Sequence, residues 1–168
     1  MTFLYILIKY LTFPGAYVRC MWEQIVCRIA KIPVEDNRYI RDDEVSGHVE
    51  NELCEKPRGA FALCFVPLFF NSIGIFFLLL FPVYIRATSV AATVFSCFSV
   101  WFAISLFCNI FPMIENAMNM FEKVYKKGNI FQKILYTPAM AVIYVGAYLE
   151  RYCITFLIAV AATIAIFA

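Results

Sequence analysis

Histidine is almost missing from this sequence. His48 is the only one, and it stands in a loop crowded with acids, where a solvated side chain is the ordinary reading and a metal ligand the exceptional one. No Ser/His/Asp arrangement, glycine-rich phosphate loop or dinucleotide-binding fingerprint occurs, which removes the common hydrolase and nucleotide-binding readings. Charged residues make up only 15%, and no basic run is interleaved with aromatics, so nucleic acid is not an expected partner. A disulfide framework is missing too, although cysteine is not. The seven cysteines are an odd count scattered mostly through apolar segments, and Cys64, Cys97, Cys108 and Cys153 read as small hydrophobes. The apolar opening "MTFLYILIKYLTF" has no basic stretch before it and no Ala-x-Ala-like cleavage site after it, so it is expected to be retained. No internal repeat, low-complexity tract or soluble domain stands out.

What is present is apolar. The chain is 63% hydrophobic, with 18 Phe and 10 Tyr among its 168 residues, and its mean hydropathy is +0.77. Soluble domains hold roughly 45–50% apolar residues, so the expectation is an all-α polytopic membrane protein, one integral domain over 1–168, with the lipid bilayer as its first partner. About four to five transmembrane helices and a short cytoplasmic β-hairpin loop are expected.

Residues 3–13 are too few to cross a hydrocarbon core that takes about 20 helical residues. Pro14-Gly15 interrupts the pattern, and 16–30 resumes as a helix with a polar stripe, so the two pieces read as one broken span. The stretch 32–59 holds eight of the twelve acids and is the one sizeable aqueous loop. Alternation in "NRYIRD" and "GHVENEL" predicts a hairpin about Ser46-Gly47. Spans follow over 60–85, kinked by Pro67 and Pro82, and over 87–111. The segment 113–133 includes an amphipathic connector with a basic end, and 134–149 and 152–168 are apolar blocks divided by Glu150-Arg151, as one bent helix or two. Basic residues crowd 19–58 and 113–133, which places both segments on the cytoplasmic side.

The stripe lies in "PGAYVRCMWEQIVCRI". On a helix Arg19 and Glu23 are four apart and share a face, with Cys20 and Cys27 alongside. One reading is an interhelical clamp, or an interfacial helix whose arginines snorkel to headgroups. The other is a polar cavity open to the cytoplasm and served by the acidic loop. Cys20, Glu23 and Cys27 could join His48 around a soft divalent ion such as zinc, but Arg19 beside the thiols opposes a cation and the spacing matches no zinc motif. No cofactor is therefore expected.

The order of phrases resembles the site-2-protease-like family of small bacterial membrane zinc metalloproteases. In that family a Pro-Gly pair precedes a His-Glu-x-x-His helix and a G-x-P-V turn, and "PGAYVRCMWEQIVCRIAKIPV" follows the same frame. "GHVENE" resembles the family's hairpin strand, "FVPLFFNSIG" the opening of its next span, and "FPMIENA" the phrase that ends the span after that. The resemblance covers roughly 14–120. It puts the two metal-binding histidines on Arg19 and Glu23, the catalytic glutamate on Cys20 and the third ligand on Asn116. All four positions are changed, and zinc hydrolysis needs imidazole and carboxylate ligands plus a carboxylate base. The resemblance thus implies a degenerate relative, a pseudoprotease of a bacterial inner membrane that binds another membrane protein or a transmembrane peptide, or serves as a complex subunit. The alternatives are an active metalloprotease with ligands rearranged among Cys20, Glu23, Cys27, His48, Glu50 and Glu52, and a small channel or transporter component.

Overall fold

The structure, a computed structural model, describes residues 2–36, 49–51, 54–84 and 89–167, without the side chains of 2–5, 36, 50 and 51. Among the described residues the chain is all-α apart from one strand pair. The helices are α1 (Thr2–Leu11), α2 (Phe13–Ala30), α3 (Pro57–Tyr84), α4 (Val90–Cys108), α5 (Ile114–Lys127), α6 (Ile130–Arg151) and α7 (Ile154–Phe167), with strands β1 (Val34–Asp36) and β2 (Glu50–Asn51) between α2 and α3. Three of the helices, α3, α4 and α6, are long and apolar enough to cross a membrane, and α7 is apolar but shorter. A bilayer environment follows from these three.

The break between the first two helices comes earlier than Pro14 suggests. Helix α1 ends at Leu11 and α2 starts at Phe13, so Pro14 falls in the first turn of α2, where its missing N–H would have had no helical partner. The interruption leaves the Leu11 carbonyl without a helical donor, while the Thr12 carbonyl accepts from the Gly15 N–H at 3.2 Å and has room for further donors. Helix α4 supplies the donors from one face, at intervals of four. Trp101 Nε1 donates to the Leu11 carbonyl at 3.1 Å, Ser105 Oγ to that of Thr12 at 2.8 Å, and Asn109 Nδ2 to the same Thr12 carbonyl at 3.0 Å. Ser105 Oγ in turn accepts from the Gly15 N–H at 2.7 Å. Gly15 permits this closeness, because a Cβ there would run into the Ser105 backbone carbonyl.

Helix α3 continues through both Pro67 and Pro82. Helix α4 starts on Ser89, whose side chain accepts from Ala92 N–H at 3.3 Å. The amphipathic connector turns out to be a core element. Helix α5 packs against α3 and α6 and buries Asn116, Ala117, Asn119, Met120 and Val124. Its apolar face joins Val26 and Cys27 of α2, Leu63 and Cys64 of α3, and Met140 and Ile143 of α6 in the main core. The last two apolar blocks are separate helices, parted at Cys153, which takes a left-handed backbone with φ 59°. All seven cysteines are free thiols, with Cys97 exposed. In the loop, β1 and β2 pair antiparallel, Val34 opposite Asn51 and Asp36 opposite Glu50, with one register irregularity. The expected turn at Ser46-Gly47 and the strand "NRYIRD" lie outside the described residues.

The crossing of α2 on α4 yields a direct expectation. Gly15→Ala must push the two backbones apart and strain the Ser105 bond, lowering stability in detergent by about 1–3 kcal/mol, as overpacking does elsewhere. An unfolding midpoint equal to that of the unchanged chain would show that the helices do not cross this tightly.

Candidate functional site

Among the described residues, four charged side chains are withdrawn from the surface. Lys9 lies in the last turn of α1, Arg19 and Glu23 sit within α2, and Glu150 is one residue from the end of α6. Arg19 and Glu23 have no exposed surface. Glu150 Oε1 accepts from Lys9 Nζ at 2.7 Å and from Arg19 Nη1 at 2.8 Å. Lys9 Nζ also donates to Asn109 Oδ1 at 2.9 Å, and Arg19 Nη1 to the Phe111 carbonyl at 3.0 Å. The expected Arg19–Glu23 pair is present, with Nε 3.9 Å from Oε1, which is ion-pair range but beyond hydrogen-bond length. Among the described residues, the carboxylate that accepts a hydrogen bond from Arg19 is Glu150.

The segment between α4 and α5 acts as a strap over this centre. Its Phe111 carbonyl caps Arg19, Met113 Sδ lies 3.9 Å from Arg19 Nη2, and the Phe111 ring covers Gly146, where no Cβ would fit. Gly146 is one turn before Glu150 on the same face of α6, so the ring that needs a glycine sits next to the acid that needs its cations. On the loop side, Glu23 Oε2 accepts from the Val49 N–H at 3.4 Å, and Val49 is 1% exposed. The chain entering β2 is therefore laid against the polar face of α2.

Formal charges in the group cancel, Lys9 and Arg19 against Glu23 and Glu150. Attraction at about 4 Å is on the order of 4 kcal/mol at an effective dielectric of 20, while withdrawing each ion from water costs several kcal/mol. Such a cluster adds little net stability when complete and is strongly destabilising when one partner is removed. Its hydrogen bonding is uneven. Glu23 Oε1, Glu150 Oε2 and both amide atoms of the buried Asn71 have no hydrogen-bond partner among the described residues.

The residues anticipated from sequence are partly brought together. Arg19 and Glu23 meet in the polar centre, and Cys20 is buried beside them on α2. Cys27 instead enters the apolar core, with Cys54, Leu63, Cys64 and Met120. Asn116 is buried in the first turn of α5, just past the strap, and makes no side-chain hydrogen bond to a described residue. His48 and Glu52, and the side chain of Glu50, lie outside what is described. Among the described residues no three His, Cys, Asp or Glu side chains are grouped to hold a metal ion. No sequence spacing joins Lys9, Asn109 or Glu150 to the stripe, and Glu150 stands out in the sequence only as a divider of apolar blocks. The available signal was charge inside apolar blocks, since ionisable residues at membrane depth mark sites by default. Comparison with protein-family models, curated proteins and solved structures yielded no match for this chain.

The bond lengths rank the two acids. Glu150→Gln leaves Lys9 and Arg19 without the carboxylate that both contact and should cost about 3–5 kcal/mol, whereas Glu23→Gln should cost clearly less. Unfolding titrations of both variants in the same detergent would decide, and the reverse order would contradict a centre built on Glu150.

Proposed function

We propose that this chain is a non-catalytic polytopic membrane protein that binds or scaffolds another membrane protein or a transmembrane peptide, alone or as a subunit of a larger complex. Arg19 carries the proposal. It stands at the first metal-ligand position of the resembled protease helix, and its guanidinium is fully buried and bonded to Glu150 and the Phe111 carbonyl. A fixed positive charge there repels a divalent cation and cannot ligate one. At the general-base position, Cys20 offers a buried thiol in place of a carboxylate, a poor acceptor for a proton from water. The lie of Val49 supports holding rather than cutting. A backbone N–H of this chain already meets the polar face of α2 at Glu23, the kind of contact an extended partner segment would make.

The finer topology belongs to the same reading. Counting α1 with α2 as one broken span and α7 as a short one, beside α3, α4 and α6, gives four to five crossings. The basic segments 19–58 and 113–133 put the 32–59 loop and the connector on the cytoplasmic side of a bacterial inner membrane. A second reading, a component of a channel or transporter, is favoured by the Asn71 amide and the carboxylate oxygens of Glu23 and Glu150 that lack hydrogen-bond partners among the described residues, and by prolines within α3 and α6.

Purified protein reconstituted with a membrane-tethered peptide should leave the peptide intact with or without added zinc. Cleavage that disappears on chelation, or in Cys27→Ser or His48→Ala, would establish the rearranged metalloprotease instead. A photoreactive side chain in place of the exposed Ile25 of α2 should give a discrete protein adduct in native membranes, and lipid adducts alone would contradict partner binding. Ion flux in liposomes that is lost in Glu150→Gln would favour the transport reading.

A further inference from the structure

Helices α5 and α6 form a hairpin whose corner has a chemistry of its own. The Tyr125 hydroxyl is 3.3 Å from Thr137 Oγ1, the rings of Phe121 and Tyr144 are 6.1 Å apart, and Phe111 covers Gly146. Contacts that climb α6 while descending α5 make the helices antiparallel, so the tip is the turn at 127–130. It is shaped for a sharp reversal. The Gly128 N–H bonds to the Val124 carbonyl at 3.0 Å, which a Cβ on Gly128 would strike, and the Gln132 side chain accepts from the Asn129 N–H at 3.2 Å, capping α6.

Lys123, Lys126, Lys127 and Lys133 surround this tip. Phe61 stacks on Tyr136 with centroids 4.0 Å apart, which sets the start of α3 at the same level and adds the exposed Lys56 and Arg58. Within 54–59 and 121–133 the acids are Glu55 and Glu122. Glu122 is held by Lys126 at 2.8 Å, and that ammonium keeps its carboxyl below the ordinary range. No ion pair joins Lys123, Lys127 or Lys133 to another described residue. Directly beside the lysines, Ile130, Phe131 and Ile134 are 76%, 74% and 71% exposed, at the start of a helix long enough to span. Ammonium groups one step above bare apolar side chains match the phosphate level and the first acyl carbons of a bilayer leaflet.

The geometry points to a site for anionic phospholipid at this corner, with Lys123, Lys127 and Lys133 on the headgroup phosphate and Ile130, Phe131 and Ile134 against the upper acyl chain. Soluble phosphate would use the same ammonium groups and leave the apolar step bare. The site is independent of the partner-binding proposal above.

The full chain, reconstituted in phosphatidylcholine, can be tested with spin-labelled phosphatidylglycerol against spin-labelled phosphatidylcholine. One interfacial lysine near an anionic surface accounts for roughly fivefold, so the anionic lipid should be enriched at least about fivefold at low salt. Enrichment should fall toward parity at about 1 M salt, where screening acts within about 3 Å. The K123Q/K127Q/K133Q variant should reduce the preference to within about twofold, while R151Q at the far end of α6 leaves it intact. Equal association of the two lipids with the unchanged chain overturns the proposal, as does a preference that survives the triple variant or high salt. Displacement of the lipid by millimolar inorganic phosphate overturns the lipid assignment. If the triple variant does not insert, the salt series on the unchanged chain decides.

Discussion

A single carboxylate oxygen, Glu150 Oε1, receives the ammonium of Lys9 and the guanidinium of Arg19 at hydrogen-bond distance. Through those two contacts the end of α6 fixes both α1 and α2. Each cation then passes the constraint on, Lys9 to Asn109 at the end of α4 and Arg19 to the strap carbonyl of Phe111. Displacing the carboxylate would remove the acceptor that both buried cations share. Buried charge is weak evidence of stability, because desolvation offsets the attraction, but removing one partner of a complete cluster is strongly destabilising.

The second constraint is backbone polarity. A break between two helices leaves backbone carbonyls short of helical donors. In this chain Trp101, Ser105 and Asn109 answer them from successive turns of one helix face. Asn109 belongs to both systems, its amide nitrogen on Thr12 and its amide oxygen on Lys9. The helix break and the charge cluster are therefore one polar unit rather than neighbouring curiosities. Gly15 and Gly146 let α4 and the Phe111 ring come close enough to complete it.

The apolar helices were legible because hydropathy and length report directly on the bilayer. So was the stripe, because a four-residue interval puts Arg19 and Glu23 on one face. What could not be read was the partner. Glu150 is 131 residues from Arg19, no local spacing links them, and the pair could be formed only by the packing of helices that the pattern leaves unordered. Asn109 and Ser105 looked like ordinary small polar residues in a packing helix until the break they serve was located. Helix α5 reads as a connector from sequence because its charged end dominates its composition. Its buried face, from Asn116 to Val124, shows that amphipathic character here marks a core helix with one outward side.

Chain order gives the Glu150 cluster a consequence for biogenesis. The two cations lie in α1 and α2, the carboxylate that both contact lies near the end of α6, and the side chains that bond the backbone at the α1–α2 break lie between them in the sequence. The bonds from Lys9 to Asn109 and Glu150 and from Arg19 to Glu150 cannot form until α4 and α6 have been made. The packing of α1 and α2 is therefore completed after the helices that follow them.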